Sequence, residues 1–481
     1  MATDVPKTPA SLGLSLLIAL VVGSIIGSGI FALPQNMAVG AGAGAIVIGW
    51  LITGVGMLML AFVYQMLALR KPELDNGVYA YARALSGEYV GFNAAWGYWL
   101  SAWIGNVGYL VVAFGALGYF FPAFGEGNTL EAIISASVVL WVVHALVLRG
   151  IQGATVLNAV VTIAKLVPLG LFIGVLITVF NIDTFKLDLW GNEDLGSVLT
   201  QVKSTMLVTV WVFIGIEGAS VYSARAKNRA DVGRATVVGF LICLALLSAV
   251  SLLSLGVMSQ PELAQLKNPS MAAVLEKAVG HWGALAIYIG LMVSVGGGFL
   301  AWTLLAAESL FTPAKGGVMP TALTRLNSRG VPANALWLTN AMVQVFLILT
   351  LLSKATYLAL ISLSTAMILL PYLFSAVYGV KVALTNEKRA QAAIKGIANS
   401  AYMKPVAMLA AGYCLWLLYA AGVKYLLLSA LLYAPGAALY FWAKRQRDER
   451  AFTTTEGIIL IVLVALALVA TYLLSTQKVT F

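Results

Sequence analysis

Charge is what this sequence has least of. Only 10% of its 481 residues are Asp, Glu, Lys or Arg, against about 25% in a soluble globular domain. So few charges cannot clothe a water-facing surface, which excludes a soluble enzyme and a disordered chain. Cysteine is almost missing as well. Cys243 and Cys414 each sit inside an apolar run, so they imply neither a disulfide framework nor a metal site. The two histidines, His144 and His281, have no ligand spacing between them. There is no phosphate-cradling loop of the ATPase kind, and Gly40–Gly44 lacks the preceding strand of a dinucleotide fingerprint. No nucleophile, metal cluster or paired acid appears at depth in an apolar run, so the chain reads as a non-enzyme needing no cofactor.

What is present is apolar sequence, 61% of the chain. Crossing about 30 Å of hydrocarbon takes roughly 17–25 mostly apolar residues. Thirteen candidate runs begin near residues 12, 45, 90, 130, 155, 197, 234, 281, 333, 356, 404, 424 and 456. The backbone must satisfy its own hydrogen bonds in lipid, so these are predicted helices. Met1–Ser11 is polar and is followed by no small-residue cleavage site, so the first run reads as a retained helix.

The net charge of +10 falls in alternate loops. Arg70, Lys71 and Arg83, then Arg225, Lys227, Arg229 and Arg234, then Lys444, Arg445, Arg447 and Arg450 share one side. The loop 181–196, with Asp183, Asp188, Glu193 and Asp194 against Lys186, falls on the other. The positive-inside rule places the N-terminus in the cytoplasm and makes the bilayer, rather than nucleic acid, the partner of this charge. Insertion of the thirteenth run, and with it the side of Phe481, stays open.

Two runs are interrupted by glycine. The first contains Gly23-Ser24-Ile25-Ile26-Gly27-Ser28-Gly29 and the sixth Phe213-Ile214-Gly215-Ile216-Glu217-Gly218. Glycine costs a helix about 1 kcal/mol relative to alanine. Matched interruptions point to discontinuous helices at a binding site, although glycines can also serve helix packing. A spacing of five spans makes two such units inverted in the membrane. A broken helix offers N–H groups to a carboxylate and free carbonyls to an ammonium. Two charges lie deep in spans: Glu217, a candidate proton-sensitive latch, and Lys165.

The run Gly23–Phe31 with Leu33-Pro34 resembles the first-helix signature of the amino acid–polyamine–organocation (APC) transporter superfamily. Tyr98–Asn106, Trp211–Glu217 and Trp302–Ala306 are similar to stretches of its basic amino acid/polyamine antiporters. Pro34–Met37, Lys71–Asp75 and Phe121–Asn128 look like the arginine/ornithine exchangers of that subfamily. The resemblance implies an all-α polytopic membrane protein with a LeuT-like 5+5 inverted repeat, discontinuous helices 1 and 6 and additional C-terminal helices, 12–13 spans in all. The expected divisions are a cytoplasmic tail at 1–11, a first repeat at 12–182, a second at 197–383 and extra spans at 404–474. Carried over residue by residue, Ser28 and Gly29 take the substrate carboxylate, and the carbonyls of Ile25, Trp211 and Ile214 take its ammonium. Trp302 stacks on the cationic side chain, Asn106 and Ser362 contact its tail, and Tyr98 and Trp211 are aromatic gates beside Glu217. Lys165 would stand where sodium binds in sodium-coupled members of the superfamily. The arginine/agmatine antiporters lack that lysine and have asparagine, cysteine and methionine where Ser24, Ala102 and Tyr109 stand here.

The expected activity is alternating-access exchange of basic amino acids in the inner (plasma) membrane, arginine in for ornithine out, with lysine a further candidate substrate. A lysine permease working as uniporter or proton symporter on the same scaffold is the rival, and a channel or membrane sensor a more distant one. The resemblance also raises a homodimer.

Overall fold

The computed structural model describes residues 13–74, 77–150, 154–217, 227, 229–385 and 402–476, with the backbone alone at 154–163, 229 and 230. The expected tail 1–11, Gly218 and Arg225 lie outside the described residues. Among those described, regular structure is entirely helical.

Helix α1 (Leu14–Ile25) stops because Ile26 turns extended, at φ −75° and ψ 98°. A short 3-10 turn over Gly29–Ala32 leads into α2 (Leu33–Ala38). Pro34 stands in the first turn of α2, where a missing N–H removes no helical bond. The two halves are bent by 45°. The chain continues through α3 (Ala43–Arg70), α4 (Gly77–Ser86), α5 (Glu88–Leu117), α6 (Leu130–Leu148) and α7 (Ala154–Val179). After α8 (Ile182–Leu187), helix α9 (Val198–Trp211) ends at its own break. There follow α10 (Arg229–Ser254), α11 (Gln260–Ala264), α12 (Ser270–Val279), α13 (His281–Lys315), α14 (Ala333–Ser353) and α15 (Tyr357–Leu384). The C-terminal part holds α16 (Met403–Tyr433), α17 (Gly436–Arg445) and α18 (Thr454–Ser475).

Among the described residues nine helices are long and apolar enough to cross a membrane, and the bent pair makes a tenth. The fifth and sixth candidate runs correspond to α7 and to α9 with its break. Runs eleven and twelve fall in one helical stretch over 403–445 that Gly422, at φ 75° and ψ 167°, divides.

Helix contacts follow an i, i+5 exchange of spans. The first span packs on the seventh (α1 on α10) and the second on the sixth (α3 on α9). The third packs on the tenth (α5 on α15) and the fifth on the eighth (α7 on α13). This is the contact pattern of a 5+5 inverted repeat. Helix α5 is buried along nearly its whole length, whereas α18 exposes most of its surface. The centre of the molecule is therefore α5, which packs chiefly on α15 and α13 and whose Tyr109 and Gly105 reach Gly27 and Trp211 at the two breaks.

One ionic cluster secures the end of the bundle where α4 meets α5. The ammonium of Lys444, on α17, bonds Glu88 and, at 2.5 Å, Glu449, while Arg83 bonds Glu88 at 2.5 Å. The cluster ties α17 to the start of α5.

Candidate functional site

The two breaks face each other. Gly215 adopts φ +108°, a region that L side chains rarely enter, and a Cβ there would lie 2.7 Å from Ser24 O. Glycine is thus demanded twice, by dihedral and by approach. The Ser24 hydroxyl lies 2.9 Å from Gly215 O and 2.9 Å from Val21 O, joining the end of α1 to the turn after α9.

Lys165, buried on α7, donates to Gly23 O at 2.6 Å and to Ile26 O. A helix that ends in mid-membrane leaves carbonyls without intrahelical partners, and the ammonium satisfies two of them. On the opposite side of the break, Ser294 of α13 donates to Gly27 O at 3.2 Å.

Between the breaks lies a narrow cavity. Helix 1 contributes Ile25, Gly27, Gly29 and Ile30; α5 contributes Ser101, Ala102, Gly105 and Tyr109. Trp211, Val212 and Ile214 come from the second break and Trp302 from α13. Among the described residues no charged side chain lines it. The Trp211 indole spans the space between helix 1 and α5. A Cβ on Gly29 would lie 2.7 Å from its Nε1, and one on Gly105 would lie 2.9 Å from the far edge of its ring. Beside it the Tyr357 hydroxyl lies 2.9 Å from Ser28 Oγ.

The ring of Trp302 stands 6.4 Å from that of Tyr98, centroid to centroid, with planes 32° apart. The Tyr98 hydroxyl donates to Glu217 Oε1 at 2.8 Å and Tyr372 to Glu217 Oε2 at 2.9 Å. The Glu217 carboxylate is thus held behind an aromatic layer. Asn106, fully buried on α5, donates through Nδ2 to Thr303 Oγ1 at 3.2 Å. Its carboxamide oxygen is buried with no hydrogen-bond partner among the described residues, an acceptor in reserve.

Of the residues singled out from sequence, Ile25, Gly29, Trp211, Ile214 and Trp302 line the cavity. Ser28 and Tyr98 bond immediately beside it. Glu217 and Asn106 form the layer behind, and Lys165 braces the break from the far side. Ser362 is not brought to this group. It is buried in α15 and does not line the cavity. Two residues on, roughly 200° around the helix, Ser364 donates to Ser101 O at 2.7 Å and lies 3.5 Å from where a Gly105 Cβ would be. Sequence reasoning passed over Ser101, Ser364, Tyr357 and Tyr372. The only signal for the last three was the polar spacing of the tenth span, whose register a uniformly apolar helix leaves undefined. Among the described residues no group of His, Cys, Asp or Glu could hold a metal ion.

A narrow cavity between two broken membrane helices, lined among the described residues by uncharged side chains, peptide groups and aromatic faces, has the chemistry to hold a small zwitterion or cation. The chain belongs to the amino acid permease family, whose model matches residues 12–425. It is 56% identical to the arginine/ornithine antiporter of Pseudomonas aeruginosa, over 97% of this chain and 98% of the relative. It is 43% identical to the L-lysine transport protein of Corynebacterium glutamicum, over 95% and 94%. It is 42% identical to the arginine/agmatine antiporter of Chlamydia felis, over the full length of both. The chain is thus a multi-pass membrane protein of a transporter family.

Proposed function

We propose that this protein exchanges basic amino acids across the membrane by alternating access, arginine entering as ornithine leaves. The observation that carries this reading is the meeting of the two breaks through Ser24 and Gly215 beside a charge-free cavity with Trp302 in its wall. Peptide groups take the substrate's head: Ser28 and Gly29 the carboxylate, and the carbonyls of Ile25, Trp211 and Ile214 the ammonium. The cationic tail lies on Trp302, a contact worth about 2 kcal/mol or more when desolvated, and its N–H groups find the free oxygen of Asn106. Tyr98 and Trp211 close the path on either side, with Glu217 bonding the gate as a proton-sensitive latch. Lys165 does the work of a bound sodium ion by holding the carbonyls of the first break. The similarity to an antiporter named for arginine and ornithine supports the substrate pair.

In this reading the protein lies in the inner (plasma) membrane with its N-terminus in the cytoplasm, as the loop charges favour, and pairs as a homodimer. Arginine and ornithine carry equal charge, so their exchange is electroneutral. The similarity to a lysine transport protein favours one rival, a lysine permease. Proteoliposomes loaded in turn with arginine, ornithine, lysine and agmatine separate the two. Exchange predicts uptake of labelled arginine only into vesicles holding a counter-substrate. Equal uptake into vesicles holding none would establish the permease instead.

A further inference from the structure

A second concavity lies away from the breaks, between the adjoining ends of α14 and α15 and the part of α16 that follows Gly422. Its walls are leucines: Leu349 and Leu352 of α14, Leu360 and Leu363 of α15, and Leu428 of α16. The first two are exposed, so the groove opens on the side of the bundle. From Phe346 to Ser353, α14 lines it for about 10 Å at 1.5 Å per residue. That is most of the roughly 15 Å of hydrocarbon in one leaflet. Two hydroxyls in the groove are used within their own helix: Thr350 donates to Phe346 O at 2.8 Å and Ser353 to Leu349 O at 2.7 Å. The charge in the groove belongs to Lys424, whose ammonium stands 5.5 Å from the centre of the Tyr425 ring, another lining residue. Among the described residues no carboxylate pairs with it. The mouth lies at the end of the bundle where α5 finishes. There Asn128, in the loop after α5, donates to Lys354 O at 3.4 Å, and Ser353 and Ala355 on either side of Lys354 line the groove.

We propose that this groove binds an anionic phospholipid, with one acyl chain along the leucines and the phosphate on the Lys424 ammonium. The groove asks for both parts. Leucine walls on the side of a membrane protein are solvated by hydrocarbon, and a length close to one leaflet suits a single chain. An ammonium against that hydrocarbon is costly unless an anion meets it. An apolar helix from a second copy of the protein would cover the leucines and leave Lys424 uncompensated. A lipid of net negative charge supplies the anion at the level where the bilayer holds its headgroups. A zwitterionic lipid brings its own cation beside the phosphate and gains less from the lysine.

The test is native mass spectrometry of the purified full-length protein, titrated with phosphatidylglycerol and with phosphatidylcholine of the same acyl chains. The expected result is one phosphatidylglycerol held about fivefold more tightly than phosphatidylcholine, the worth of one basic residue at a membrane surface. Lys424→Gln brings that ratio close to one, whereas Lys186→Gln, at an exposed lysine of α8, leaves it unchanged. Ala359→Trp fills the groove from a half-buried position and loses the lipid of either kind. A ratio unmoved by Lys424→Gln, or a lipid retained in Ala359→Trp, overturns the site. If Ala359→Trp fails to fold, the Lys424→Gln ratio decides alone. Displacement of phosphatidylglycerol by inorganic phosphate overturns the part given to the acyl chain. A wild-type dimer that carries no lipid, and that Ala359→Trp splits into monomers, gives the groove to a second copy instead.

Discussion

The Ser24 hydroxyl lies 2.9 Å from the carbonyl of Gly215, 191 positions away in the chain. That bond joins the two breaks, and around it the rest of the site is arranged. Helix 1 comes apart because Gly27, Ser28 and Gly29 precede Pro34, and helix 6 comes apart where Gly215 takes a backbone conformation barred to most residues. Each half supplies peptide groups that lipid cannot solvate, and the partner break, Lys165 and Ser294 satisfy part of that demand.

Gly215→Ala should abolish exchange. The added Cβ meets Ser24 O at 2.7 Å, and the residue must hold φ +108°, a strain of about 1–3 kcal/mol. Gly296→Ala, where a Cβ meets nothing within 4 Å, is the matched control and should exchange normally. Counterflow in proteoliposomes checks both.

Trp302→Leu should weaken arginine binding by ten- to thirtyfold, the equivalent of a desolvated cation–aromatic contact of about 2 kcal/mol. Trp302→Phe keeps a weaker aromatic face and should fall between. Calorimetric titration of purified protein measures the series, and unchanged affinity in the leucine variant would remove Trp302 from the site.

Exchange should proceed equally well in sodium and in choline buffers, because the Lys165 ammonium already sits on the carbonyls of Gly23 and Ile26. Lys165→Met leaves both carbonyls without their donor, each at a cost of about 1–3 kcal/mol. It should lose exchange together with thermal stability in detergent. Stimulation of the wild type by a sodium gradient would count against this role.

Acid should loosen one loop before it unfolds the protein. Glu262 is held below its ordinary 4.5 first by the Ser259 backbone N–H, at 2.9 Å, and then by the Lys277 ammonium, at 3.1 Å. A carboxyl depressed in the fold contributes its stabilisation above the unfolded value and loses it as pH falls through the lower folded one. Its helix, α11, holds the end of α2 through Gln260, which donates to Ala38 O at 2.7 Å. The protection of amides 259–264, taken relative to their intrinsic exchange rate at each pH, should be constant from neutrality to about pH 5 and fall below about 4.5. Glu262→Gln should show the lower protection at every pH.

Much of the fold was legible in the residues. Apolar run lengths located the spans, and the glycines of runs one and six located both breaks, because a helix in lipid tolerates such clusters only where something else satisfies the backbone. Trp211 and Trp302 could be singled out because they flank those breaks or recur in a family motif. Ser362 shows the limit. It and Ser364 are equally polar and two positions apart, and only the rotation of α15 against α5 decides that Ser364 turns toward Ser101. Tyr109 was visible as a departure from relatives, but only the approach of α9 to α5 sets its ring 6.4 Å from that of Trp211, and no local pattern announces that.

The sequence by itself determined that this chain spans a membrane many times, that two helices break, and that an acid and a lysine lie at depth. Those properties follow from transfer energies and backbone dihedral limits, which act residue by residue. Tertiary structure alone decided which carbonyls Lys165 reaches, which hydroxyls hold Glu217, and which side chains share the cavity. Those outcomes depend on the rotation and approach of helices distant in the chain, where a shift of one residue turns a side chain by about 100° and moves it to another neighbour.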